Sequence, residues 1–104
     1  MELKDLNEKF IDDVVEQIVF NFGPKRIILF SRKNDLVGKC LSFKLCILLD
    51  CKDKMEAERQ IYINTDSEIP FDIIVYTPEE FESNLDIVGS FASKINKTGI
   101  VVYG

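Results

Sequence analysis

Apolar residues recur at three- and four-residue steps through the first part of the chain, at Leu3, Leu6, Phe10, Val14, Ile18 and Phe22. That is the period of an amphipathic helix. Glu2 and Asp5 stand where its N-terminal end favours negative charge, and Gly23-Pro24 ends it, Gly as a cap and Pro as a stop. The pattern then changes to short apolar runs. Arg26 to Phe30 reads as a buried strand, and Ser42 to Asp50 as a second. The second is apolar on both faces at its centre (Leu45, Cys46, Ile47, Leu48, Leu49), as expected of a central strand covered on both sides. Residues 53–64 are moderately helical, with Met55, Ala57 or Glu58, and Ile61 on one side. Phe71 to Tyr76 is a third strand.

Thr77-Pro78-Glu79-Glu80 is a helix start, with Thr at the N-cap, Pro at the first helical position and Glu three residues past the cap, a capping box. Phe81, Leu85, Ile87 and Val88 supply apolar contacts near this short helix. Phe91 and Ile95, with the small residues Ser90, Ala92 and Ser93, predict a further helix ended by Lys97-Thr98-Gly99, and Ile100 to Tyr103 closes the chain as a short strand. The order is helix, strand, loop, strand, helix, strand, helix, helix, strand. It predicts one α/β (α+β) domain over residues 1–104, a central sheet with helices packed against it.

Composition narrows the function classes. Hydrophobic residues make up 46% of the chain, enough for a core and too many for a disordered segment. The net charge of −5 argues against a nucleic-acid footprint. Lys25, Arg26, Arg32, Lys33 and Lys39 nonetheless gather around one loop, as a solvated rim or a phosphate-binding one. Three cysteines without a CxxC pair, and no histidine, argue against zinc, and Cys46 reads as a small core residue. The charged first residues carry no signal peptide, and no apolar run approaches the ~20 residues that cross a membrane; a cytoplasmic protein with reduced thiols is expected. No Ser-His-Asp, Cys-His, Walker-type or Rossmann pattern is present.

Three phrases together carry a resemblance. They are Leu29-Phe30 with Ser42 twelve residues later, "PFDIIVYTPEEFE" (residues 70–82), and "SFASKINKTGIVVYG" (residues 90–104). From residue 10 onward the chain resembles the minimal nucleotidyltransferases of the DNA polymerase β superfamily. Their first strand ends in Leu-Phe-Gly-Ser, their second opens Ser-Asp-x-Asp, and their third carries another Asp before a Thr-Pro-Glu-Glu-Phe phrase. The resemblance implies that nucleotidyltransferase fold, with a mixed central sheet, and a site in which three carboxylates hold two Mg²⁺ ions that bind a nucleoside triphosphate and activate the attacking hydroxyl. Small members of the family often pair with an all-helical protein of the HEPN type, as antitoxin to toxin.

The chain departs from the family at the chemistry. In the gap-free register the Gly-Ser pair falls on Ser31-Arg32, and the two strand-opening Asp positions fall on Phe43 and Leu45, leaving only Asp72. Sliding by one residue brings Ser42 and Lys44 to those positions, and Lys44 repels a cation. Asp35, Asp50 and Asp53 are the carboxylates a rearranged site would draw on, although Asp50 is roughly 23 Å of strand from the first metal position.

Three readings follow, one of them, a nucleotide sensor that binds without reacting, standing between the other two. In the first, the protein is a catalytically degenerate nucleotidyltransferase-fold module that binds or regulates and needs no cofactor. Asp72 is then a remnant carboxylate, Ser31 and Arg32 a possible phosphate contact, and Phe43, Leu45 and Lys33 the partner-binding surface. Phe43 and Leu45 serve either as a plug filling the former cleft or as its exposed apolar floor. In the second, it is a Mg²⁺-dependent transferase moving an NMP group to a protein or small molecule. The resemblance also predicts that Asp72, Phe43 and Leu45 point into one concave face; Asp72 on the face opposite Phe43 would break it at its centre.

Overall fold

In the computed structural model, residues 6–104 are described. The first helix, α1, spans Leu6–Phe22; the expected positions at Leu3, Glu2 and Asp5 lie outside the described residues. Gly23 ends it in the left-handed conformation (φ +59°), its N–H returning to the Val19 carbonyl at 3.0 Å. β1 (Arg26–Asn34) and β2 (Cys40–Leu48) follow, then α2 (Lys54–Ile63), β3 (Phe71–Tyr76), α3 (Pro78–Leu85), α4 (Phe91–Thr98) and β4 (Ile100–Tyr103). The element order matches the expectation from the sequence.

The strands form one sheet in the order β3-β2-β1-β4. β1 runs antiparallel to both of its neighbours, and β2 pairs in parallel with β3 through the α2 crossover. Period-two alternation divides the side chains of β2 between two faces. Phe43, Leu45 and Ile47 pack with Ile73 and Val75 beneath Val14 and Ile18 of α1 and Ile61 of α2. Cys46 and Leu48 pack with Ile28 and Tyr76 beneath Phe81 of α3 and Ala92 and Ile95 of α4. β2 is thus covered on both sides, and Cys46 is a core residue with no exposure.

The segment expected as a basic loop is mostly strand. Ser31, Arg32 and Lys33 of β1 pair with Lys44, Phe43 and Ser42 of β2, which confines the turn to residues 35–39. Asp35 closes it: its Oδ1 accepts from the N–H groups of Val37 (2.9 Å) and Lys39 (2.8 Å), and Gly38 supplies a φ of +89°. This local side-chain turn lets the ladder run on.

The helix starts are capped by side chains. Asp53 accepts from the N–H groups of Met55 and Glu56, and Thr77 accepts from that of Glu80 at 3.1 Å. Only half of the expected capping box forms, because the Glu80 carboxylate turns away to Lys54 Nζ at 2.6 Å. Met55, expected on the buried side of α2, is exposed, as are Ile87 and Val88 beyond α3. Ile61 alone anchors α2 among its fully buried residues.

Candidate functional site

The pairing of β2 with β3 fixes what stands beside Asp72. Phe43 registers with Phe71, Lys44 with Asp72, and Leu45 with Ile73. Registered neighbours present their side chains to the same face, so Asp72 shares a face with Lys44 and lies opposite Phe43 and Leu45. The expectation of one concave face shared by Asp72, Phe43 and Leu45 is therefore overturned.

Phe43 and Leu45 are 1% and 0% exposed. Phe43 stacks on Phe71 with ring centroids 5.7 Å apart and planes at 15°, and Tyr62 packs on the far side of Phe71 at 5.5 Å. The two residues belong to the core beneath α1 and α2, so they form neither the floor of an open cleft nor a partner-binding surface. The expectation rested on the gap-free family register, and the β2/β3 ladder, which runs without a register shift, places Asp72 beside Lys44 instead. The β1/β2 ladder does shift register, between Leu29 and Ser31, leaving Phe30 as an extra residue, and between Lys33 and Asn34, leaving Leu41 extra. Each bulge adds a residue to one strand without advancing its partner, so the two, one on each strand, cancel across the hairpin.

Of the residues expected to make one rim, Ser31 and Arg32 line one groove, although their side chains leave opposite faces of β1. Ser31 pairs with Lys44 and Lys33 with Ser42, on the Asp72 side. Arg32 pairs with Phe43 and takes the other side, where its Nε donates to Asn34 Oδ1 at 3.0 Å. Lys33 and Asp72 are exposed.

On the Asp72 face the sheet is only partly covered, and a cleft of about 250 Å³ opens between the bulge in β1, the start of β2 and one flank of α4. Phe30, Ser31 and Lys44 form its sheet wall, and Phe91, Lys94, Ile95 and Thr98 its helix wall. The bulge turns Phe30 toward α4, where its ring meets that of Phe91 edge-on at 5.5 Å and 88°. Ser90 caps α4, accepting from the Ser93 N–H at 3.0 Å and donating to the Asn84 carbonyl at 2.7 Å. Burial of Ala92 and Ile95 fixes the rotation of the helix and brings the stripe Phe91, Lys94 and Thr98 to the cleft. The Thr98 hydroxyl donates to the Lys94 carbonyl at 2.9 Å. A groove of about 500 Å³ shares Phe30, Ser31 and Thr98, takes in Asp12 and Arg32, and continues along Ile100, Val101 and Val102.

Charge on this face is cationic around the cleft. Lys44 and Lys94 line it, and no carboxylate does. Neither lysine makes an ion pair among the described residues. Asp72 is the register partner of Lys44 on this face, with Ser42 two residues before Lys44 on β2. The carboxylates a rearranged site would draw on are placed elsewhere: Asp35 closes the hairpin turn, Asp53 caps α2, and Asp50 lies past the far end of β2. Among the described residues no three His, Cys, Asp or Glu side chains gather closely enough to hold a metal ion.

Other polar groups serve the fold. The Tyr62 hydroxyl accepts from the Ile73 N–H at 2.9 Å. Burial raises its pKa, against the lowering effect of that bond. Burial likewise raises Tyr76, and pushes the Cys46 thiol up to about 12. Cys46 is therefore an inert thiol.

Phe91 and Lys94 are missing from the sequence-based candidates. The signal was present in their i, i+3 spacing with Thr98 four residues on, but only the docking of α4 shows that this stripe meets Ser31 and Lys44. Among the described residues, no helix is long and apolar enough to cross a membrane. Comparison with protein-family models, with curated proteins and with solved structures finds no match to this chain.

Proposed function

We propose that this chain is a nucleotidyltransferase-fold module that binds or regulates without transferring a nucleotide. Support for the fold comes from the order of elements, from the mixed sheet in which β2 and β3 are parallel neighbours, and from the family phrase that runs from β3 into the Thr77-capped helix. The observation that carries the functional reading is the pairing of Lys44 with Asp72. With β2 read one residue out of the gap-free register, Ser42 and Lys44 occupy the strand-opening positions on the Asp72 face. A hydroxyl and an ammonium replace two carboxylates there. Two divalent ions beside a triphosphate need those negative charges, and an ammonium at that place repels them. The family resemblance suggests a helical protein of the HEPN type as the partner; with Phe43 and Leu45 buried, such a partner would meet Lys33, Ser31 and the exposed rim of the cleft.

The test is direct. The purified chain, alone and with co-purifying proteins, is incubated with each of the four labelled NTPs and Mg²⁺. No label should appear on any protein. Label that appears and is lost in Asp72→Ala would establish a transferase and overturn this reading.

A further inference from the structure

We infer that the cleft between Lys44 and Lys94 is a metal-independent site for a phosphate group carried by a small molecule. The inference rests on the reading that Lys44 occupies a strand-opening position on the Asp72 face, and it names the ligand of that same site.

Four observations converge. The two lysines stand on opposite walls of one 250 Å³ cleft, one on β2 and one on α4, and no acid lines it. Both lack an ion-pair partner among the described residues, in a chain where acids outnumber bases by 18 to 13. By contrast, Lys54 pairs with Glu80 at 2.6 Å and Arg59 with Glu56 at 3.2 Å. Asp72 is the register partner of Lys44 and forms no ion pair with it. Finally, Ser31 offers a hydroxyl from the bulged strand between the lysines, whereas the Thr98 hydroxyl is already engaged by the helix.

Two like charges facing one cleft repel each other, and an anion between them relieves the repulsion and accepts charge-assisted hydrogen bonds from both. The apolar walls, Phe30, Phe91 and Ile95, limit water and strengthen those bonds. A cleft of this size is smaller than the ~300 Å³ at which drug-sized sites begin, which suits a phosphate rather than a whole nucleotide. The lysines supply the positive charge that a divalent ion would otherwise bring.

Amide NMR titrations with inorganic phosphate and pyrophosphate, in excess EDTA, test this, with AMP and adenosine as further arms. Saturable shifts at Ser31, Lys44 and Lys94 are expected with phosphate, pyrophosphate and AMP, and none with adenosine. Tighter binding of AMP than of phosphate identifies a nucleotide source, and equal binding a free phosphate. Lys44→Gln and Lys94→Gln, each checked for an unchanged spectrum elsewhere, should each weaken binding roughly tenfold. Absence of shifts into the millimolar range, shifts that require Mg²⁺, undiminished affinity in either variant, or adenosine binding as well as AMP would overturn the inference. The outcome is separable from the labelling experiment, because phosphate binding in EDTA neither requires nor produces nucleotide transfer.

Discussion

At the start of β2, consecutive residues meet opposite environments. Phe43 and Leu45 are sealed beneath α1 and α2, packed on Phe71, Ile73 and Ile18. Ser42 and Lys44, one position away, look out on the other face, where α4 leaves a cleft uncovered. The same stretch of chain is thus both core and site. Which residue is which depends on a two-residue period and on the register of β2 with β3. The gap-free family register assigns the chemistry to the core.

The sharpest way to break this contrast is to place a charge on each side in turn. Leu45→Asp removes a fully buried aliphatic side chain and buries a carboxylate without a partner, which should cost more than about 4 kcal/mol and unfold the domain. Lys44→Asp, on the adjacent exposed position, should change stability by less than about 1 kcal/mol. Urea denaturation of the two variants measures both. Similar losses would mean the faces are misassigned.

Much of the fold was legible in the sequence for one reason: long periodic segments specify element type. The step of three and four in α1 and the doubly apolar centre of β2 gave their elements directly, as did the Thr77 cap. The site was less legible. The hairpin looked like a loop because Ser31 to Asn34 is polar and basic; its strand character comes from pairing and from the turn that Asp35 closes. Asp72 was placed correctly on β3 but beside the wrong neighbours, because the register of two parallel strands joined by the α2 crossover leaves no signature in a linear count. Lys94 and Phe91 become visible only when α4 docks, a tertiary event.

A smaller effect sharpens the comparison within the Asp72 face, deeper in the sheet. The Cys46 thiol sits in the core with its folded pKa near 12, against an ordinary 9.0. The unfolded chain therefore releases this proton at lower pH than the folded one. The stabilisation is fully present below pH 9 and is lost as pH rises from 9 toward 12. Cys46→Ala should flatten the alkaline decline in stability, measured by urea midpoints at successive pH values. An unchanged slope would mean that the thiol is accessible to solvent.

Smaller again is the effect of capping α2, which covers the sealed face. Asp53→Ala strips acceptors from the Met55 and Glu56 N–H groups and should cost about 1 kcal/mol. Its thermal midpoint should fall by a few degrees while phosphate binding in the cleft on the other face stays unchanged. A loss of binding would show that the two faces are coupled.

The account stands or falls on which residues flank Asp72, and rebuilding carboxylates on each face in turn tests it. The measurement is thermal denaturation of Ser42→Asp/Lys44→Asp and of Phe43→Asp/Leu45→Asp, each with EDTA and with Mn²⁺. The first variant should fold, and should gain a Mn²⁺-dependent rise in melting temperature that disappears when Asp72→Ala is added. The second should fail to fold in either condition. A second variant that folds and takes up Mn²⁺, beside a first that folds and ignores it, would contradict the account.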